Sequence, residues 1–78
     1  MGTSRDDIRG WLKRAEPKHT HMLVVCDTFD YDDYPVFTDN VSEAIEKYDR
    51  KDMQKIMEIY DLRKDHEAQV SMARVWNV

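Results

Sequence analysis

Asp27, Asp30, Asp32 and Asp33 stand within one short run, interleaved with Phe29, Tyr31 and Tyr34. Closely spaced carboxylates offer three kinds of chemistry: phosphoryl transfer, calcium binding, and recognition of a basic surface. Spacing argues against the first two. A strand-end aspartate nucleophile pairs with a second Asp two residues on, so that both carboxylates hold magnesium; here that position is Phe29. A calcium loop of the EF-hand type needs oxygen ligands at alternating positions, a central Gly and a terminal Glu. Counting from Asp27, Phe29 and Tyr31 fall on ligand positions. Counting from Asp30, Tyr34 and Pro35 break the pattern, and the region contains no Gly. Asp27 then reads as a strand end whose side chain bonds turn amides.

His19 and His21, two apart on an extended segment, could present two imidazoles on one face. Cys26 falls on the opposite face from His21 and about 17 Å along the strand, at about 3.3 Å per residue. His66 is far away in sequence, so no ligand quartet can be assembled. Cys26 has no His or Asp partner to activate it and reads as a small buried hydrophobe. Met22, Met53, Met57 and Met72 read as core gap-fillers. The expectation is a protein with no catalytic residues, no metal and no cofactor: not an enzyme.

Recognition of a basic surface survives. Residues 27–46 carry seven carboxylates and no Lys or Arg, whereas residues 1–26 are net +2 and residues 47–78 net +1 in a chain of net charge −4. One contiguous block therefore holds all the charge imbalance. It would repel nucleic acid and attract a basic partner. Aromatic side chains, the type enriched at interface hot spots, alternate with the charges. The candidate contact set is Asp27, Asp30, Tyr31, Asp32, Asp33, Tyr34, Asp39 and Glu43. Carboxylates spaced along a rigid hairpin could take the places of DNA phosphates on a basic groove and block it by competition.

The elements that must position this set follow from periodicity. Residues 4–15 predict a helix: Ser4 and Asp7 form a capping pair, and Ile8, Trp11, Leu12 and Ala15 form one apolar stripe. Gly10 inside it suggests a close approach to the sheet. Pro17 ends it. His19–Phe29 predicts a strand with two apolar faces, Met22, Val24 and Cys26 on one and Leu23, Val25 and Phe29 on the other, and hence covered on both sides. Residues 30–33 predict the turn, and Tyr34–Thr38 an edge strand that tolerates Pro35. A second helix spans 41–49, opened by Asn40 and Glu43, with Val41, Ala44, Ile45 and Tyr48 as its stripe. A charged link, Asp49–Asp52, leads to a third strand, Met53–Leu62, with Ile56, Tyr60 and Leu62 on one side and Met57 and Ile59 on the other. Residues 65–78 read as a helix, with helical composition from Glu67 to Arg74, and a short extended end; an alternating strand is the other reading. The expected fold is α+β, one small domain in the order α-β-β-α-β-α, with strand one central in the spatial order 2-1-3.

The run T-H-M-L-V-V-C-D-T-F-D-Y-D-D-Y-P-V-F, Thr20 to Phe37, resembles small proteins encoded by bacteriophages and prophages. Three further stretches are similar: D-D-I-R-G-W-L at residues 6–12, N-x-x-E at Asn40–Glu43, and K-D-M-Q-K-I-M-E-I-Y-D-L at residues 51–62. The resemblance carries no catalytic residues. It implies a phage-encoded accessory protein, and by class analogy an inhibitor of host defence such as an anti-CRISPR protein. The implied partner is a host protein with a basic nucleic-acid-binding surface, a CRISPR effector or similar. One cysteine and no long apolar run predict the reducing cytoplasm of the bacterial host, away from membranes. A second expectation is a phage interaction or structural module, homodimeric or otherwise, working through an apolar surface of Met53, Tyr60, Trp76 and Val78; a third is a small metal-binding protein or enzyme.

Overall fold

A computed structural model describes residues 4–50, 53–72 and 75–78. Among them lie α1 (Arg5–Arg14), β1 (His21–Asp27), β2 (Asp32–Thr38), α2 (Val41–Tyr48), β3 (Gln54–Asp61) and α3 (His66–Val70). The three strands form one sheet in the order β2-β1-β3, with β1 antiparallel to both neighbours. The expected element order and strand order are therefore those observed.

β1 is central because its sequence is apolar in both directions. Met22 and Val24 pack with Ile8 and Leu12 of α1, Tyr60 of β3, and Val70 and Val75 of the C-terminal segment. Leu23 and Val25 face the other way, against Ala44 of α2 and Ile56 and Ile59 of β3. Val41, Ile45 and Tyr48 close that second core from α2. Each fully buried Leu, Ile or Val contributes roughly 1.5–3 kcal/mol of transfer free energy. Most of the stability of so small a chain therefore rests on these two thin layers.

The helix ends are capped as the residue types dictate. Ser4 Oγ accepts the Asp7 N–H at 3.1 Å, and an Asp7 carboxylate oxygen accepts the Ser4 N–H at 3.3 Å, a reciprocal capping box. Asn40 Oδ1 accepts the Glu43 N–H at 3.1 Å. No reciprocal bond from Glu43 closes this cap; the Asn40 N–H donates to Thr38 Oγ1 instead, at 2.9 Å. Gly10 departs from its expected role. A Cβ placed there would meet nothing within 4 Å, so Gly10 mediates no close approach.

Three further features differ from expectation: the turn, the faces of β3 and the tail. β1 ends at Asp27 and β2 begins at Asp32, so the turn is 28–31 and Phe29 lies outside the strand. The cause is Asp27 itself, which bends the chain early through its side chain and carbonyl. In β3, Val24 pairs with Glu58 but Val25 pairs with Ile56, which leaves Met57 as an extra, bulged residue. The bulge turns Ile56 to the same face as Ile59, while Tyr60 and Leu62 face the α1 side; uniform alternation had grouped Ile56 with Tyr60. The tail follows its helical reading only in part. α3 stops at Val70, and residues 73–74, including Arg74, lie outside the described residues, as do residues 51–52 of the charged link. Beyond them, the Ile59 N–H donates to the Val75 carbonyl at 2.8 Å and the Asn77 N–H donates to the Ile59 carbonyl at 3.0 Å, a parallel bridge on the outer edge of β3.

Candidate functional site

The hairpin tip is built around Asp27. Its Oδ1 accepts the Phe29 N–H at 2.8 Å and its carbonyl accepts the Tyr31 N–H at 2.6 Å. Both bonds close the loop and throw the Phe29 and Tyr31 side chains outward. Tyr31 adopts φ 58°, the left-handed region, which costs a residue with a Cβ roughly 1–2 kcal/mol. Thr28 ties the tip to the chain entering β3: its N–H and its hydroxyl both donate to the Met53 carbonyl, at 2.8 and 2.7 Å. Met53 is itself left-handed at φ 60°, as is Arg50 at φ 58°. Strained backbone of this kind persists where surrounding bonds over-determine it.

The result is a corner where large apolar side chains stand exposed among carboxylates. Phe29 is 71%, Tyr31 68% and Met53 59% exposed. Asp30 is exposed in the turn, and Asp32 faces Asp27 across the last rung of the hairpin. Among the described residues, none of the tip carboxylates makes an ion pair. Of these, Asp30 and Asp32 are exposed to solvent.

The eight candidate residues do not form one patch. Asp27, Asp30, Tyr31, Asp32 and Asp33 gather at the tip, with Asp33 half-buried opposite Cys26. Tyr34 is an inner wall rather than an outward contact. It packs against the α2-side core, its hydroxyl accepts from the Gln54 amide, and burial pushes its pKa up. Asp39 lies six residues beyond Asp33, about 20 Å along the strand, and Glu43 stands in the first turn of α2. Conversely, Phe29 and Met53 belong to the tip although neither was among the eight. The signal for Phe29 was present in Asp27-x-Phe29, an Asx-turn spacing that ends the strand. For Met53 there was none, because its place depends on a bond from Thr28 across the sheet.

The other candidate chemistry separates in space. His19 stacks on Phe37 with centroids 5.6 Å apart, on the Met22 face, whereas His21 alternates to the opposite face. The two imidazoles therefore do not share a face, because His19 lies before the strand begins. His21 is buried; its Nδ1 bonds Thr20 Oγ1 at 2.8 Å, and among the described residues its Nε2 has no hydrogen-bond partner. Among the described residues no group of three or more His, Cys, Asp or Glu could hold a metal ion. Burial, with Asp33 beside it, pushes the Cys26 thiol pKa up, which disfavours a reactive thiolate. Tyr60, named for the apolar contact surface, is fully buried and cannot touch a partner.

Two polar networks escaped the sequence reading. Arg5 Nη1 donates to Glu58 Oε1 at 3.0 Å and to the Tyr60 hydroxyl at 3.0 Å, and that hydroxyl donates to Glu58 Oε1 at 2.9 Å. Gln69 clasps the Asp61 main chain, accepting its N–H at 2.8 Å and donating to its carbonyl at 2.9 Å, while Asn77 donates to Gln69 Oε1 at 2.7 Å. Both fasten helix or tail to β3; Arg5 lies more than fifty residues from its partners, and Gln69 lies eight from Asp61 and eight from Asn77. Among the described residues no helix is long and apolar enough to cross a membrane. Searches of protein-family models, curated proteins and solved structures find no match to this chain.

Proposed function

We propose that this chain is a small phage-encoded binding protein that inhibits a host defence or nucleic-acid-handling protein, of the CRISPR-effector kind, by covering its basic surface with the hairpin tip. The observation that carries this reading is the corner itself: exposed carboxylates of Asp30 and Asp32, with no ion pair among the described residues, beside exposed Phe29, Tyr31 and Met53, on a turn held by Asp27 and Thr28. Carboxylates supply attraction and steering toward cations; exposed aromatics supply the desolvated anchor that turns encounter into a lasting contact. A rigid tip loses little conformational entropy on docking. Asp39 and Glu43, at the far end of β2, contribute field rather than contact. No chemistry on the partner is required; competition with phosphate is sufficient.

The test is affinity capture from a bacterial lysate with the wild-type protein beside an Asp30→Lys, Asp32→Lys, Asp33→Lys variant, each verified as folded by circular dichroism. The expected outcome is a basic nucleic-acid-binding protein held by the wild type, released by salt and not retained by the variant. Identical capture by both proteins would sink the acidic-tip reading.

A second reading has one specific support. Trp76 and Val78, in the segment bridged to β3, are 48% and 68% exposed. They would make a self-association surface on the sheet edge away from β2. Sedimentation at several concentrations separates the two readings: a strict monomer removes self-association.

A further inference from the structure

β2 is an outer strand of the sheet, and among the described residues no strand lies beyond it. The hairpin fixes which of its backbone groups are free. The Tyr31 N–H bonds the Asp27 carbonyl, so Asp27 turns its own backbone toward β2. Along a strand the backbone groups of successive residues point to alternate sides. Asp27, Val25, Leu23 and His21 therefore face their partners Asp32, Tyr34, Val36 and Thr38. The intervening residues, Asp33, Pro35 and Phe37, aim their backbone away from β1. Pro35 falls on this outer side, where its missing N–H costs no ladder bond. The N–H groups of Asp33 and Phe37 and the carbonyls of all three are left without a strand to pair with.

A hollow borders this edge on each face. One of about 150 Å³ on the α2 side is lined by Val36, Ala44, Tyr48, Glu43 and Lys47. One of about 280 Å³ on the other side is lined by Phe37, His19, Lys18 and Asp39. An added strand would send alternate side chains into the two hollows while its backbone bonds the edge. Charge selects the occupant. Asp32 and Asp33 stand at one end of the edge, Asp39 and Glu43 at the other. Of the nearby cations, Lys18 is already paired with Glu16 at 3.4 Å. Lys55 lies two strands inward from Asp33, about 10 Å away. Lys47, over the Tyr48 ring, is then the one cation set against four carboxylates. We propose that β2 takes up an extended segment of another protein as a fourth strand, apolar at its middle and carrying Lys or Arg at each end. A second copy of this chain does not fit. Two β2 strands would set Asp32 and Asp33 against Thr38 and Asp39 when antiparallel, and against themselves when parallel, and like charges facing across strands repel. The inference rests on the β2 backbone and does not depend on the hairpin tip; Asp39 and Glu43, out of reach of whatever the tip touches, meet this occupant.

The test is an amide-resolved NMR titration with hydrogen exchange at low salt. The probe is the end-capped peptide Lys-Val-Thr-Ile-Thr-Val-Lys. One control peptide carries Glu for both Lys; another is N-methylated along Thr-Ile-Thr, which blocks both of its backbone edges. The lysine peptide is expected to bind saturably and to slow exchange at the Asp33 and Phe37 amides, the two outward donors. Neither control should bind. Asp39→Asn with Glu43→Gln, two exposed positions, should weaken binding by about threefold, the loss of two exposed ion pairs. The proposal is overturned by no saturable binding, by binding that leaves the Asp33 and Phe37 amides unprotected, by equal binding of either control, by undiminished affinity in the double variant, or by the same protection on raising protein concentration alone. The last would identify the occupant as a second copy.

Discussion

His21 sets the pH dependence of stability. Burial penalises its imidazolium and lowers its pKa, outweighing the attraction of Asp61 across the sheet; Arg63 and Lys64 push in the same direction as burial. In the unfolded chain the ring takes up a proton near pH 6.5, and in the native state only at lower pH. The unfolded state therefore binds more protons below about pH 6.5, so stability is full above that pH and falls as pH drops through the window. The urea midpoint should decline between pH 7.5 and 5.5, and a His21→Phe variant should lose that slope. Asp61 acts lower still: Arg63 holds its carboxyl below the usual range, so its contribution is lost only in acid. Tyr31 separates stability from binding. Replacing it with Gly relieves the left-handed strain but adds unfolded-state entropy, for a net gain of about 0.5 kcal/mol. The same change removes an exposed aromatic from the tip. Tyr31→Gly should unfold at slightly higher urea yet capture less of the partner; equal or stronger capture would count against the aromatic anchor.

At the scale of the element, α1 carries an avoidable cost. Gly10 has open space where a Cβ would go, so Gly10→Ala should stabilise by about 0.5–1 kcal/mol, read from urea unfolding. The bulge at Met57 decides the faces of β3. Without it, Ile56 and Ile59, three apart, could not both reach the α2-side core; Glu58 and Tyr60, two apart on the regular stretch that follows, share the opposite face and both meet Arg5. The bulge is invisible in the sequence because Ile56-Met57-Glu58-Ile59 fits uniform alternation as well. The hairpin turn was displaced for a related reason: Phe29 extends the apolar alternation of β1, but the Asp27 side chain bonds its N–H and ends the strand first.

At the scale of the molecule, the C-terminal segment closes the sheet. Val75 is buried among the residues of the α1-side core, and its carbonyl accepts from Ile59. Val75→Ala should cost about 2 kcal/mol in urea unfolding, from lost burial plus the cavity left behind; a cost near zero would mean that the segment is not docked in solution. The molecule is also polar along the sheet, with Asp30 and Asp32 exposed at the hairpin tip and Lys13 and Lys64 exposed in a groove beyond Asp61. The sequence by itself determined the element order, the central strand and the acidic block. These follow from local periodicity, caps and composition, and β1, apolar on both faces, admits only a central position. It could not determine that Asp39 and Glu43 stand apart from the tip, that Met53 joins it, or that Lys13 and Lys64 share a groove. Those depend on where a seven-residue strand and a bulge carry the chain, and only tertiary packing sets those distances.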